Sequence, residues 1–452
     1  MFLLKIHRCR SCCAPIETVE FGCVRPAPST TWLPKVTAST TGAKPTAPWH
    51  HSLCMSQPLE RPMIYLDHNA TTPLDPAVLA VVQKTLGAEF GNPSSVHRLG
   101  QRARKLVDTA RQQVAAYLDA HPSEITFTSG ATEANILAWR GVIHAAATPT
   151  TAVTSTVEHP SVLAVAARLQ AQGHQIQRIG VDQTGRLDLQ RLRTVLAEHP
   201  CKFASFQSVN NELGTIHPIA QIAEMCRQHA TLLHCDATQA MGKIAVSPKH
   251  LSVDLLSFSG HKFGALAGAG VLWVRRGVAV QPQAPGHQES GARAGTENVV
   301  GIVALGHACT LLQQRLSSVG RTRALRDLLW QHLGNIDEVY RNGDVDSRYE
   351  VGNTLNVAFG DVDAATLLMA LDLEGIAVSA GSACSSGSLE PSHVITALGQ
   401  DRDRARRAVR FSLGPENSTA EIERVALLVP QIVARIRAAR RFGAAIRSLA
   451  AE

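Results

Sequence analysis

A series of five short strand-like runs, with helical patterns between most of them, constrains the fold of this chain more than any other feature. Runs of about four to eight mostly apolar residues are typical of strands buried on both faces. Strands that alternate with helices favour a mainly parallel sheet with right-handed crossovers. The sequence therefore predicts the α/β fold class, with strands at Ile125–Thr128, Ala152–Ser155, Phe203–Ser208, Leu232–Cys235 and Asp254–Phe258.

A second, smaller set of elements follows a break near residues 281–298, where prolines and glycines interrupt the pattern. After a helical stretch, the predicted elements are Thr354–Ala358, Ala364–Leu371, Ile376–Ser379 and Val409–Ser412. A final helix opens with Ser418-Thr-Ala-Glu421, a capping-box pattern. We predict a large domain over residues 75–318 and a small α+β domain formed by residues 63–74 together with 319–452.

The charge of the chain does not indicate a nucleic-acid-binding protein. The formal net charge is +7, but residues 1–54 hold six Lys or Arg and two Asp or Glu, so +4 of it lies there and +3 in the remainder. The 10 cysteines lack the paired spacing of a disulfide framework, which fits a reducing compartment. No apolar run approaches the roughly 18 residues that span a bilayer. We therefore expect a cytoplasmic protein with neither nucleic acid nor membrane as a direct partner.

Residues 1–62 are predicted to be a disordered extension, because residues 1–54 are rich in Ser, Thr, Pro and Cys and show no helical or strand period. The explanation that we favour is a translation-start artefact, with the true start at Met55 or Met63. The shortage of acids could instead mark a transit peptide, which would place the protein in a mitochondrion or plastid. A metal site at Cys9-x-x-Cys12-Cys13 lacks a second cluster to complete four ligands.

Polar residues suited to one ligand follow the predicted strands, at the sheet edge where α/β proteins bind ligands. Small residues at Ser129–Glu133 open a helix, whose N–H groups and dipole form a cradle for phosphate. His159 offers a flat imidazole, Asp236 a carboxylate, and Lys262 an amine that can form a Schiff base. Together they describe a pocket for pyridoxal 5′-phosphate. Each also has an ordinary structural explanation, such as a helix cap for Asp236 or Thr132.

Motifs in a fixed order along residues 63–435 give the chain a family resemblance. They are Tyr65-Leu-Asp-His-Asn-Ala-Thr-Thr72, Gly91-Asn-Pro-Ser-Ser-Val-His97, Thr128-Ser-Gly-Ala-Thr-Glu133, Val157-Glu-His-Pro160, Asn210-Asn-Glu212, Asp236-Ala-Thr-Gln239, Ser259-Gly-His-Lys262, Arg293-Ala-Gly-Thr-Glu-Asn298, Gly381-Ser-Ala-Cys-Ser-Ser-Gly-Ser-Leu-Glu-Pro-Ser-His393 and Arg410-Phe-Ser-Leu-Gly414. The chain resembles the class V aminotransferase superfamily, and more closely the cysteine desulfurases of the nitrogen-fixation and iron–sulfur-assembly type. The resemblance implies the fold-type I architecture of pyridoxal-phosphate enzymes.

The resemblance also implies a role for each matching residue. Lys262 would carry the cofactor as a Schiff base, and Asp236 would pair with its pyridinium nitrogen. His159 would stack on the ring and take part in acid–base steps. Gln239 and Asn211 would contact the phenolic oxygen and the substrate side of the cofactor.

Further implied contacts concern the phosphate, the substrate and a second subunit. Ala131, Thr132, Ser259 and His261 would hold the phosphate of the cofactor. Thr296 would reach that phosphate from the other subunit, which implies a homodimer. Arg410 would clamp the α-carboxylate of the substrate, a role that fits the geometry of a guanidinium group.

Cys384 separates a desulfurase from its aminotransferase relatives in this resemblance. It lies in a run of Gly, Ser and Ala with little to pack, and such a segment is expected to be mobile. The implied reaction removes sulfur from L-cysteine, leaving L-alanine and a persulfide on Cys384. A selenocysteine lyase, or another class V enzyme, is the alternative.

The resemblance implies a sulfur-acceptor protein as partner, either an iron–sulfur scaffold or a thiolation carrier. It implies no resident metal, apart from a nascent cluster held transiently on Cys384. Two places depart from the family pattern: the turn Gly264-Ala-Leu-Ala-Gly268 lacks the usual Pro and Lys, and Ala284-Pro-Gly-His287 is thinner in glycine. We expect these departures to alter local geometry rather than the class of reaction.

Overall fold

The computed structural model describes residues 63–88, 90–145, 149–284, 286–380 and 391–449. The predicted extension, residues 1–62, and the predicted sulfur carrier Cys384 lie outside these ranges. The strands are β1 (Ile64–Tyr65), β2 (Ile125–Thr128), β3 (Thr151–Ser155), β4 (Gln175–Ile179), β5 (Cys201–Gln207), β6 (Leu232–Asp236), β7 (Leu255–Ser259), β8 (Gly270–Val274), β9 (Val339–Asn342), β10 (Thr354–Phe359), β11 (Ile376–Ala377), β12 (Ser379–Ala380) and β13 (Ala408–Ser412).

Helices cover most of the chain between these strands. They are α1 (Pro76–Ala88), α2 (Arg98–Leu118), α3 (Ala131–His144), α4 (Pro160–Ala171), α5 (Leu189–Glu198), α6 (Ile219–Gln228), α7 (Pro248–Leu251), α8 (Val299–Thr310), α9 (Leu312–Ser317), α10 (Val319–Leu333), α11 (Ala364–Leu373), α12 (His393–Ala397), α13 (Arg402–Arg406) and α14 (Thr419–Leu449). Within the described ranges, no helix is long and apolar enough to cross a membrane.

The central sheet has seven strands in the order β2-β8-β7-β6-β5-β3-β4. All neighbours from β7 to β4 pair in parallel, whereas β8 runs antiparallel to both β2 and β7. The predicted α/β fold with a mainly parallel sheet is confirmed. All five predicted strands occur, with their ends shifted by no more than two residues.

Helices cover both faces of this sheet, as the burial of successive strand residues shows. Leu255 packs with α3 and α4 in one apolar cluster, and its neighbour Leu256 belongs to the cluster formed with α2, α6 and α8. Every residue of β7 is buried. The end of β7, where Lys262 follows, is therefore held from both sides by close-packed side chains.

Two small sheets lie in the remaining part of the chain. One has the antiparallel order β12-β13-β10-β9, and the other pairs β1 in parallel with β11. The pairing of Ile64 with Ile376 brings the segment after residue 63 to this part, as the predicted small domain requires. The domain boundaries themselves stay a prediction. The predicted capping box is confirmed, since Ser418 and Glu421 exchange hydrogen bonds at the start of α14.

Candidate active site

One cavity of about 640 Å³ lies at the carboxyl ends of β5, β6 and β7, beside the first turn of α3. Crossovers of a parallel sheet bring the polar residues after each strand to this same edge. Ten of the predicted site residues line the cavity: Ala131, Thr132, His159, Asn211, Asp236, Gln239, Ser259, His261, Lys262 and Arg410.

The other two predicted residues are not among those that line this cavity. Cys384 lies outside the described residues. Thr296 is exposed and does not line the cavity of its own chain. It lies three residues after Arg293, whose Nε donates to Glu133 Oε1 at the cavity wall over 2.8 Å. The roles of Thr296 and Cys384 therefore stay predictions.

Lys262 ends a short 3-10 turn, Gly260–Lys262, that directly follows β7. Its Nζ donates to the main-chain carbonyl of Asn69 at 2.7 Å and to that of Ala70 at 2.8 Å. The segment after β1 thus holds the amine against the cavity. A lysine on a buried strand end and bound on one side is well placed to react with a carbonyl ligand.

Asp236 is the last residue of β6, and its side chain is 5% exposed. The main-chain N–H of Thr238 donates to Oδ1 at 3.0 Å, and Asn135 Nδ2 donates to Oδ2 at 2.8 Å. Both oxygens therefore have a fixed donor. The carboxylate is oriented before any ligand binds, as pairing with a pyridinium nitrogen requires.

His159 caps α4, and its hydrogen bonds define which ring nitrogen carries the hydrogen. Nδ1 accepts from the main-chain N–H of Ser161 at 3.1 Å and lies 2.8 Å from Ser161 Oγ. The neutral ring is therefore protonated on Nε2. Burial lowers the pKa of His159; the charge of Asp236 opposes this effect and that of Lys262 adds to it. At neutral pH the ring is a neutral donor through Nε2.

The residues predicted to hold the phosphate meet where α3 begins. Ala131 and Thr132 occupy the first turn, and Ser259 and His261 face the same cavity. Glu133 also lies in that turn, but Arg293 neutralises it. Burial alone would raise the pKa of Glu133, whereas hydrogen bonds from Arg293 and Ser129 lower it overall. Burial, aided by Lys262, lowers the pKa of His261 to about 4, which makes it a neutral donor.

Arg410 lies on β13 and is 2% exposed. Its Nη1 donates to the carbonyl of Asn211 at 3.0 Å, and its Nη2 donates to Asp67 Oδ1 at 2.7 Å. Its buried Nε has no hydrogen-bond partner in the part of the chain that the structure describes. Burying an unpaired guanidinium N–H is costly, so this group is suited to an anionic ligand in the cavity.

A second half-buried lysine, Lys243, was not predicted as part of the site. Its Nζ donates to Asn69 Oδ1 at 2.8 Å and to Gln239 Oε1. Burial, and then the charges of Lys262 and Arg410, hold the pKa of Lys243 well below its usual value. Gln239 therefore presents its oxygen to Lys243, and its Nε2 donates to the Asn69 carbonyl at 2.8 Å. In the sequence, the only feature that connects Lys243 with the site is its position four residues after Gln239.

Two buried carboxyl groups, Glu158 and Glu212, lie next to residues of the cavity but do not line it, and neither was predicted as part of the site. Burial raises the pKa of Glu158 to about 8, against hydrogen bonds from Ser155 and Gln207. Burial likewise raises the pKa of Glu212, whose Oε2 accepts from Ser392 Oγ at 2.6 Å. Ser392 follows the predicted Cys384 segment by a few residues. The described chain after that segment is thus attached to the end of β5.

Comparison with known proteins places this arrangement in a family. A profile of the family described as aminotransferase class V matches residues 64–425. The chain belongs to this family. A cysteine desulfurase from Gluconacetobacter diazotrophicus is 43% identical over 379 residues, which cover 83% of this chain and 94% of that protein.

Solved structures agree with this class V assignment. A NifS-like protein superposes with a TM-score of 0.77 at 33% identity, and the match covers 82% of this chain and 99% of that one. The structure of SspA in complex with cysteine superposes with a TM-score of 0.68 at 30% identity, covering 78% and 100%. The predicted family resemblance is confirmed.

Enzymes of this class V group are pyridoxal-phosphate-dependent, and the cavity fits that cofactor. The first turn of α3 with Ser259 and His261 offers donors for a phosphate, and Asp236 presents an oriented carboxylate. Lys262 supplies the amine in the same cavity. These donors and the carboxylate match the charges of the phosphate and the ring nitrogen of the cofactor, and Arg410 adds a positive charge to the same cavity for an anionic substrate group.

Proposed function

We propose that this protein is a cysteine desulfurase that uses pyridoxal phosphate to take sulfur from L-cysteine. The observation that carries the proposal is the meeting of Lys262, Asp236 and Arg410 in one cavity. It combines a Schiff-base amine, a partner for the ring nitrogen and a site for an amino-acid carboxylate. The 43% identical desulfurase and the cysteine complex of SspA support cysteine as the amino acid.

The cofactor supplies a carbonyl that condenses with amines and a ring that withdraws electrons from the substrate Cα. Arg410, which lines the cavity, would bind the α-carboxylate and so orient Cα there. Lys262 would hold the cofactor through its amine, and the same amine, once free, would be the base that takes the Cα proton. His159 donates through Nε2 and cannot act as a base there, because its Nδ1 already accepts from Ser161.

The sulfur step requires the thiolate of Cys384. It attacks the substrate Sγ, so a bond between the two sulfurs forms while the substrate Cβ–Sγ bond breaks. The electron pair of that bond stays with carbon and is protonated. The net reaction converts L-cysteine and the Cys384 thiol into L-alanine and a Cys384 persulfide, with no external oxidant.

The described residues on both sides of Cys384 favour this role, because they lie beside the cavity. Ser379 pairs with Arg410 between β12 and β13, and Ser392 bonds to Glu212. The described chain before Cys384 is therefore paired with the strand that carries Arg410.

Assembly and destination also belong to this proposal. Thr296 is exposed and absent from its own cavity, which suits a contact with the phosphate site of a second copy in a homodimer. The persulfide is passed to an acceptor protein for iron–sulfur cluster assembly or thiolation. The expected location is the cytoplasm, unless residues 1–54 direct the protein to an organelle.

The test replaces Cys384 with Ala in the full chain. Sulfide and alanine production from cysteine should fall at least about 100-fold, because truncating a covalent nucleophile removes the step itself. Pyridoxal phosphate should remain bound, as seen in its absorbance. Ser385→Ala, the neighbouring substitution, is the matched control and should keep full turnover.

Retained cysteine turnover in Cys384→Ala would refute the proposal. Turnover of selenocysteine that persists in this variant, while cysteine is not used by the wild type, would identify a selenocysteine lyase instead. A wild-type protein that binds no pyridoxal phosphate would exclude both activities.

A further inference from the structure

A row of polar side chains crosses the core behind Asp236, where apolar residues would be expected. Ser205 on β5, His234 on β6 and Ser257 on β7 are 0% exposed, and Asn135 on α3 is 1% exposed. Ser205 Oγ lies 2.9 Å from His234 Nδ1, and His234 Nε2 lies 3.0 Å from Ser257 Oγ. Ser257 Oγ contacts Asn135 Oδ1, and Asn135 Nδ2 lies 2.8 Å from Asp236 Oδ2.

The chemistry of Asp236 fixes the direction of every hydrogen bond in this row. A carboxylate only accepts, so Asn135 must turn its amide nitrogen to Asp236 and its oxygen to Ser257. The hydroxyl of Ser257 therefore donates to Asn135, and its oxygen accepts from His234 Nε2. A neutral imidazole has one N–H, so His234 Nδ1 accepts from the hydroxyl of Ser205. All donors point toward the carboxylate.

Asn135 also reaches the other cofactor contact. Its Nδ2 donates a second hydrogen to Ser161 Oγ at 3.1 Å, and Ser161 in turn lies 2.8 Å from His159 Nδ1. One amide group therefore determines the orientation of both Asp236 and His159. If the side-chain amide of Asn135 were flipped, its oxygen would face the carboxylate of Asp236. The hydrogen bonds from Asn135 to Asp236 and to Ser161 would then both be lost.

We infer that Asn135, held by Ser257 and His234, is a positioning residue that orients Asp236 and His159 toward the cofactor, an inference that rests on the proposed pyridoxal-phosphate chemistry. Asn135 itself lines the cavity, and the inference extends the role to core residues behind it. His234 and Ser257 do not line the cavity. Aligned hydrogen bonds in a buried chain polarise one another, so the last bond, to the charged carboxylate, is strengthened.

The row requires His234 to be neutral, and its surroundings keep it so. Burial lowers the pKa of His234 to about 4, although the charge of Asp236 acts in the opposite direction. Phe203 stacks on its ring with the two centroids 6.2 Å apart, which helps to exclude water. The ring is therefore neutral at the pH at which a cytoplasmic enzyme works.

The direct test is ¹⁵N NMR of the histidine-labelled, full-length holoenzyme, in which the row is intact. The signals of His234 are identified by their loss in His234→Gln. We expect Nε2 to be protonated and Nδ1 to be unprotonated, with no change between pH 6 and 8. A ring protonated on Nδ1, or one that is charged in this range, would reverse or break the row and overturn the inference.

The second test compares Ser257→Ala with Thr231→Val. Each removes one buried hydroxyl, but Thr231 bonds to the carbonyl of Cys201 at 2.9 Å, away from the row. Pyridoxal phosphate should bind about tenfold more weakly to Ser257→Ala, the scale of one hydrogen bond to a charged network. Thr231→Val should keep the wild-type affinity at a similar loss of melting temperature.

Equal cofactor affinities in Ser257→Ala and the wild type would overturn the inference. Neither test depends on turnover of cysteine. A wild-type protein that binds the cofactor but releases no sulfur would refute the desulfurase proposal and leave the positioning role intact. If the wild type releases sulfur from cysteine but His234 carries its hydrogen on Nδ1, the hydrogen bonds of the row run the other way. That result would refute only the positioning role.

Discussion

Glu158 precedes His159 in the chain, but its carboxyl group belongs to the core and not to the cavity. Its side chain is fully buried between Ser155 Oγ, at 2.6 Å from Oε1, and the main-chain N–H of Gln207, at 2.9 Å from Oε2. Desolvation exceeds the effect of these two donors, which is why the pKa of this carboxyl is raised to about 8. The folded protein thus holds a proton here at neutral pH.

This raised pKa predicts how Glu158→Gln changes stability with pH. The native state keeps a proton that the unfolded chain releases above its usual pKa near 4.5, so the contribution of Glu158 is complete below pH 4.5 and is lost as pH rises to about 8. A glutamine at this position does not titrate, so its contribution to the free energy of unfolding does not fall as pH rises. Between pH 5.5 and 7.5 the variant should gain about 2 kcal/mol relative to the wild type, at most about 1.4 kcal/mol per pH unit.

Urea unfolding at these two pH values measures the difference in the free energy of unfolding. Glu198→Gln, an exposed carboxyl on α5, is the control and should show a difference that does not vary with pH. A constant difference for Glu158→Gln as well would mean that Glu158 is ionised in the folded protein.

At the scale of elements, the sequence signal was strong where a strand is buried on both faces. All residues of β2, β3 and β7 are buried, and their apolar runs predicted them. β4 was not predicted, because it is the last strand of the sheet and its exposed Gln175 and Arg178 leave it without a continuous apolar run. β8 was missed because a single antiparallel strand after a glycine-rich turn has no crossover helix to mark it.

That glycine-rich turn is one of the two departures from the family pattern, and the structure shows how it is held. Gly264 has a φ of +90°, its N–H donates to Thr72 Oγ1 at 2.8 Å, and its carbonyl accepts from the N–H of Asp75 at 3.0 Å. Ala267 and Gly268 line the cavity. The segment after β1 thus supports the turn without the Pro and Lys that are usual there.

Gly264→Ala should destabilise the protein more than Gly277→Ala, which is a matched control. Both glycines have positive φ, but a Cβ at Gly264 would crowd Arg315 and lie 3.1 Å from Asp75 Cβ, whereas nothing lies within 4 Å at Gly277. The backbone cost is about 1 kcal/mol at either site. Crowding at Gly264 adds roughly 1–3 kcal/mol. Equal melting temperatures for the two variants would show that Arg315 moves aside freely.

At the scale of the whole molecule, one residue connects parts of the chain that no local pattern could bring together. Asn69 forms hydrogen bonds with Lys243, Gln239 and Lys262, and it also forms them with Asn353 and Thr354. The last two are almost 300 residues away in sequence, at a separation of 284 and 285. The sequence therefore predicts that the strand ends carry the site, whereas supporting partners such as Asn69, Lys243 and Asn135 are found only in the folded chain.

The proposed homodimer leads to a prediction about the activity of mixed dimers. If Thr296 completes the phosphate site of the partner subunit, Thr296→Asp should place a negative charge beside the phosphate and inactivate both sites of a homodimer. Lys262→Ala should inactivate both sites by removing the amine. A mixed dimer of the two variants has one site with both defects and one with neither, because Lys262 and Thr296 would come from different chains.

Mixing the two inactive variants under exchange conditions should therefore restore activity. Random pairing makes half of the dimers mixed, and each has one intact site of two, so about one quarter of wild-type activity is expected. Thr296→Ser, which keeps the hydroxyl, should be active by itself. Sedimentation should show a dimer for every variant. Activity that stays absent after exchange, with mixed dimers demonstrated by differential tagging, would place Thr296 outside the site of the partner subunit.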